Sequence, residues 1–212
     1  MDTFVTLAGD GVAQTRVKGS TFAALAAPAP DEAEARARLA AREREMWDAT
    51  HHGSAWRMRG GTVRANDAGE PSGSTGAPIL AAIDGAGLTD CVVIVTRYYG
   101  GTKLGVGGLV RAYGDAAAEA LAAAPRRVGT VAACLRIRYP YEHTAAVMRA
   151  LERSGAAAVE HGYAPEGDAG IVDFSVAASA EVRLREELQE STAGAVAPLR
   201  TGDTVLFRNA DS

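Results

Sequence analysis

The sequence predicts two α+β domains in succession, meeting near residue 127. Three observations carry that expectation. The chain of 212 residues, 47% hydrophobic and 23% charged, is long enough for two small globular domains, each with its own core. The pattern of strands and helices ends at Pro125-Arg126-Arg127 and then restarts. From there the segments follow the order β-α-β-β-α-β, the split unit of a ferredoxin-like domain. The expected domains are therefore 1–127 and 128–212.

Taken in order, Phe4–Leu7, Val12–Val17 and Thr21–Ala26 read as strands, separated by Gly9-Asp10-Gly11 and Gly19. Pro28-Ala29-Pro30 stops the strand pattern, and Asp31 supplies a helix N-cap. Glu32 to Thr50, dense in Ala, Glu and Arg, predicts a helix with Ala35, Leu39, Met46 and Trp47 on one face. Gly53–Arg59 alternates as a strand, which Thr62–Arg64 extends or pairs with. Asn66–Gly76 is a turn of Asp, Gly, Pro and Ser. Ser74 or Thr75 is placed to cap a short helix ending at Gly85 or Gly87. Asp90–Tyr98 is a continuous apolar strand, of the kind buried on both faces. Gly108–Ala124 is an alanine-rich helix stopped by Pro125.

Beyond that point Val131–Tyr139 predicts a strand and Tyr141–Arg153 a helix closed by Gly155. Ala157–Tyr163 and Ile171–Ala177 read as a strand pair around a Pro165–Gly170 turn. Glu181–Thr192 predicts a helix, and Val205–Phe207 belongs to a last strand.

Charge narrows the function classes. The net charge of −4 argues against a strongly electrostatic nucleic-acid binder. Residues 1–127 carry 14 Lys+Arg and 14 Asp+Glu, whereas 128–212 carry 8 and 12. Any anion contact is thus a local patch in the first domain. No apolar run approaches the roughly 18–20 residues of a membrane span, and no signal peptide is visible. Cys91 and Cys134 lie in apolar strand-like runs, as reduced thiols of a cytoplasmic protein do. No membrane partner, metal or cofactor is expected.

The candidate chemistry concentrates between Thr96 and Tyr113. A strand ends in Arg97, Tyr98 and Tyr99. A loop containing Gly100, Gly101, Lys103, Gly105, Gly107 and Gly108 then leads into a helix. Strand, glycine-rich loop and helix N-terminus together present bare backbone N–H groups and a positive dipole end to an anion. The spacing matches neither G-x-x-x-x-G-K-[ST] nor G-x-G-x-x-G, and a tight connection between strand and helix is the alternative reading. Lys18 and Arg111 are supporting cations. Tyr98, Tyr99 and Tyr113 read either as a stacking platform of the kind that binds single-stranded nucleic acid or as ordinary core and rim residues beside a buried strand. Asp67 and Glu70 are candidates for acid–base or cation-binding work, set against ordinary turn chemistry. His51 and His52 are adjacent, and on a strand they point to opposite faces. No nucleophile signature stands out.

Several motifs carry a resemblance. Asp67-x-Gly69-Glu70-Pro71-Ser72-Gly73-x-x-Gly76 precedes Thr96-Arg97-Tyr98-Tyr99-Gly100-Gly101-x-x-Leu104-Gly105-x-Gly107-Gly108-Leu109-x-x-Ala112-Tyr113. With Lys18-x-Ser20-x-Phe22 and His51-His52-x-x-Ala55-Trp56 ahead of them, these resemble the YigZ/IMPACT family. The family usually has a second acidic residue where this chain has Ala68, which weakens a mechanism needing an acidic pair. The resemblance implies a first domain like domain 2 of ribosomal protein S5. It implies a ferredoxin-like second domain similar to domain V of the translocation elongation factor. The function it implies is non-enzymatic binding of RNA, another polyanion or the ribosome, linked to the regulation of translation, with a protein of the translation machinery as a further partner. The alternative is an enzyme acting on a small phosphorylated or nucleotide substrate at the glycine-rich loop.

Overall fold

The structure, a computed structural model, describes residues 2–210. It is an α+β protein built on antiparallel sheets, and it divides into two compact units. One comprises Val5–Val128 with the segment from Arg208 onward; the other comprises Gly129–Phe207 with the segment up to Phe4. The division falls inside three strands, β1 (Thr3–Leu7), β7 (Arg126–Pro140) and the last strand, Leu199–Asn209.

The first unit is organised by a five-stranded sheet in the order β2-β3-β6-β4-β5. Its strands are β2 (Gly11–Val17), β3 (Ser20–Pro28), β4 (His51–Arg57), β5 (Val63–Asn66) and β6 (Cys91–Tyr98). Every pairing among them is antiparallel. The central strand β6 is covered on both faces, which explains its unbroken apolar run. Cys91, Val93 and Val95 pack with Phe22, Ala24 and Ala26 against α2 (Gly76–Gly85) and α3 (Val106–Ala123). Val92 and Ile94, pointing the other way, meet Trp56, Met58 and Ala35 of α1 (Glu32–Glu45). A run of this kind is commonest in parallel sheets; here helices on both faces produce it in an antiparallel one.

Helix ends repay attention to single residues. Asp31 caps α1, its carboxylate accepting from the Glu34 N–H at 2.8 Å. The helix stops at Glu45 rather than continuing to Thr50, because Met46 leaves the helical conformation and the chain turns into β4. Trp47 therefore lies off the helix and is 81% exposed, not on the face shared with Ala35 and Leu39 that its spacing suggested. At α2, neither Ser74 nor Thr75 caps through its side chain. Ser74 donates its hydroxyl to the Pro71 carbonyl at 2.6 Å, and Thr75 holds the N-cap position without a side-chain bond.

The second unit runs β7, α4 (Thr144–Ser154), β8 (Ala157–Tyr163), β9 (Ala169–Ala177), α5 (Glu181–Ser191) and β10 (Leu199–Asn209). Strands β7, β9 and β8 pair antiparallel in that order, and β10 pairs with β7. Leu135, Ile137, Phe174 and Val176 form the core with Val147, Leu151, Leu184 and Leu188 of the two helices. Gly155, at φ 66°, closes α4 in the left-handed conformation glycine adopts without strain. Strands β7 and β10 are both longer than their apolar segments alone predicted: exposed polar residues extend β10, and the mostly part-buried stretch from Arg126 to Thr130 extends β7.

Candidate functional site

Strand register places the charged residues of the first unit. In the antiparallel ladders Phe22 is paired with Arg97, and Arg97 with His51. Directly opposed residues share a face, so these three form a row across β3, β6 and β4. The row lies on the side covered by α2 and α3, at the end where the stripe Cys91-Val93-Val95 gives way to Arg97. One residue out of phase, His52 is paired with Thr96, and both point to the other face. His52 Nδ1 lies 3.1 Å from Thr96 Oγ1, and burial lowers its pKa. His51 and His52 therefore do not act together.

Arg97 is buried, and its charge is met inside the protein. Its Nη1 donates to Glu70 Oε1 at 2.6 Å, with both side chains only 5% exposed. Nη2 donates to Ser20 Oγ at 3.2 Å. The guanidinium carbon lies 5.5 Å from the Phe22 ring centroid and 5.3 Å from that of Tyr99, a cation–π contact with each. Tyr113, from α3, donates its hydroxyl to the same Glu70 oxygen at 2.9 Å. Burial, then the charge of Glu70, pushes the Tyr113 pKa up, so the phenol remains a donor. Removing one partner of such a buried pair costs about 3–5 kcal/mol, which makes this a structural cluster first.

The Asp67–Gly76 loop is closed around its own backbone. Asp67 accepts N–H groups from Gly73 at 2.8 Å, Thr75 at 3.0 Å and Gly76 at 2.8 Å. Burial acts to raise the Asp67 pKa, but these three donors outweigh it and hold the carboxyl below its usual range. Asp67 is thus the real cap of α2, reaching from eight residues before Thr75. Ala68, at φ 50°, turns its carbonyl toward His51, which must donate its Nδ1–H because a carbonyl only accepts (2.8 Å). The other ring nitrogen, Nε2, lies 3.9 Å from Glu70 Oε1.

The glycine-rich loop is open by contrast. Gly100 donates its N–H to Ser20 Oγ at 3.2 Å and packs so closely on Gly19 that a Cβ would strike that residue's carbonyl. Among the described residues, none of the N–H groups from Gly101 to Gly105 meets a protein acceptor. Gly105, at φ 69°, starts α3 without a side-chain cap, and the first intrahelical bond runs from the Leu109 N–H to the Gly105 carbonyl. Lys103 is exposed and has no ion-pair partner among the described residues.

A cleft of about 560 Å³ lies between these loops, within the range of small-ligand sites. His51, Glu70, Arg97, Tyr99, Lys103 and Gly105 reach it, and Leu104, Val106 and Leu109 supply an apolar wall. Of the residues expected to share one site, Asp67 and His52 stay outside. Tyr98 also points away, its hydroxyl donating to Asp48 at 3.0 Å. Lys18, Gly108 and Arg111 line a second hollow of about 210 Å³ instead, which shares Leu104 with the first. Sequence reasoning gave no role to Ser20 or to the wall residues. Ser20 has a readable signal, since it stands between Lys18 and Phe22 in a motif already noted, whereas Val106 and Leu109 look like any helix start.

Comparison with known proteins gives a consistent picture. Residues 18–121 match the Impact N-terminal domain. An IMPACT family member from the pol 5′ region of Thermus thermophilus is 46% identical over 151 residues, covering 71% of this chain and 82% of the relative. IMPACT family members YvyE of Bacillus subtilis and YigZ of Escherichia coli are 44% and 38% identical. Those alignments cover 42% and 50% of this chain and 42% and 53% of the relatives. A solved crystal structure of a hypothetical protein is similar over 94% of this chain and 98% of its own, with TM-score 0.67 and 25% identity.

Proposed function

The chain belongs to the YigZ/IMPACT family, and on that premise we propose that it is a non-enzymatic factor that binds RNA or another polyanion in the service of translation. The finer fold assignment belongs to the same reading. The first unit is taken as a domain like domain 2 of ribosomal protein S5. The second is taken as ferredoxin-like, supported by its β7-α4-β8-β9-α5-β10 order and by β10 lying beside β7.

One observation carries the binding reading: the uncapped start of α3, the unpaired Lys103 and the exposed Tyr99 meet at a single cleft. Bare N–H groups and the helix dipole attract an anion, Lys103 adds charge, and Tyr99 offers a ring face. Arg97 acts behind this surface. It is neutralised by Glu70 and supports Tyr99 from below, so it positions the platform and leaves phosphate contact to Lys103. The test is fluorescence anisotropy of labelled RNA across a salt series. Affinity falls as salt rises, and Lys103→Ala weakens binding and flattens the slope by about 0.7 for a single strand. An affinity indifferent to salt and to Lys103 contradicts the reading.

The alternative, an enzyme on a small phosphorylated or nucleotide substrate, is favoured by one feature. His51 lines the cleft with its Nε2 3.9 Å from the buried Glu70 carboxylate, a geometry suited to moving a proton. Saturable thermal stabilisation by one small phosphorylated compound, lost in His51→Ala, would support it over the binding role.

A further inference from the structure

Two hollows meet at Leu104, and their chemistries differ. The larger one, from His51 to Leu109, is walled by Pro71, Leu104, Val106 and Leu109, and it is too apolar to be filled by phosphate alone. Tyr99 stands at it, 46% exposed, with one ring face resting on the Arg97 guanidinium. A ring polarised by a cation beneath it presents a fixed outer face to a second π-system. The smaller hollow has the opposite character. Lys18 and Arg111 flank Gly108 there, with Asp115 the one acidic residue in its lining.

The distribution of cations reinforces the contrast. Arginines elsewhere in the first unit are commonly neutralised: Arg36 by Glu32, Arg38 by Asp10 and Glu34, Arg57 by Asp84, and Arg97 by Glu70. Lys18, Lys103 and Arg111 have no such partner among the described residues. The chain has twenty arginines and two lysines, and both lysines line these adjoining hollows.

Resting on the polyanion reading above, we propose that the ligand is single-stranded RNA, divided at Leu104. An unstacked base enters the apolar cleft and lies on Tyr99, while the neighbouring phosphates are held by Lys103 on one side and by Lys18 and Arg111 on the other. A duplex cannot use this site, because its bases are stacked and its edges turned inward. The apolar cleft supplies discrimination for an exposed base, and the unpaired cations supply salt-dependent affinity.

The experiment measures anisotropy of the full chain with four ligands: a single-stranded RNA 12-mer, the same sequence as a duplex, an abasic 12-mer and inorganic polyphosphate. The single strand binds at least about tenfold tighter than the other three, the scale of one base–aromatic stack. Tyr99→Ala removes that advantage and leaves abasic binding unchanged, while Tyr99→Trp restores it. Lys18→Ala and Arg111→Ala weaken single-stranded and abasic ligands alike, each flattening the salt slope by about 0.7. Equal affinity for single-stranded and abasic strands, or a Tyr99→Ala loss that is the same for both, overturns the base-pocket assignment and leaves polyanion binding standing. Failure to bind any of the four overturns the polyanion reading itself.

Discussion

Two loops face each other across the cleft, and they manage the same kind of polar group in opposite ways. In Asp67–Gly76 the carboxylate of Asp67 takes three backbone N–H groups, and Glu70 takes Arg97 and Tyr113. In the loop from Gly101 to Gly105 the N–H groups find no protein acceptor among the described residues, and Lys103 finds no carboxylate. One loop is folded against itself. The other keeps its backbone donors without a protein acceptor among the described residues. A residue's chemistry alone therefore does not mark it as part of a binding surface: Asp67 and Arg97 look as functional as Lys103 in sequence, yet Asp67 accepts three backbone N–H groups and the charge of Arg97 is met by Glu70.

That contrast can be broken by substitution, beginning where the loss should be greatest. Glu70→Ala leaves the Arg97 guanidinium buried without its counter-charge and deprives Tyr113 of an acceptor. Urea denaturation should show a loss of about 3–5 kcal/mol, and a loss near zero would mean that the pair is not a structural unit. Asp67→Asn comes next, at about 1–2 kcal/mol near neutral pH, since it weakens the cap of α2. Its pH dependence gives a second handle. The folded pKa lies below the unfolded value of about 3.9, so Asp67's contribution is complete above that value. It is lost as pH falls through the folded value. The wild type should therefore lose its advantage over Asp67→Asn in acid, and a difference constant down to the lowest pH would refute the cap. Lys103→Ala is the smallest effect, within about 0.5 kcal/mol of wild-type stability, because nothing in the protein depends on its charge. A loss as large as that of Asp67→Asn would close the supposedly open loop.

The sequence made much of this readable, and the misses have identifiable physics. The strand Cys91–Tyr98, the capping of α1 by Asp31 and the strand–loop–helix order at Gly100–Gly108 follow from local rules that tertiary structure did not override. The opposed facing of His51 and His52 follows from period-two alternation, and the register bears it out. What local rules could not supply was pairing at a distance. Arg97 and Glu70 are 27 positions apart, and nothing in either segment says that one will neutralise the other. Asp67 reaches past Ser74 and Thr75 to cap α2, a role that ordinary capping rules assign to the nearest hydroxyl. Trp47 was placed on a helix face that ends before reaching it. The place of the glycine-rich loop between strand and helix was thus legible, while the partners of the charged residues around it depended on what the fold brought together.

The most direct test of that division is an amide NMR titration of the ¹⁵N-labelled protein with a short single-stranded RNA. The account predicts that the N–H signals of Gly101, Lys103, Gly105, Val106 and Gly107 shift first and farthest. Those of Gly73, Thr75 and Gly76, already bonded to Asp67, should stay nearly still. Shifts concentrated on the Asp67–Gly76 amides, or spread over the second unit with the glycine-rich loop unmoved, would contradict it.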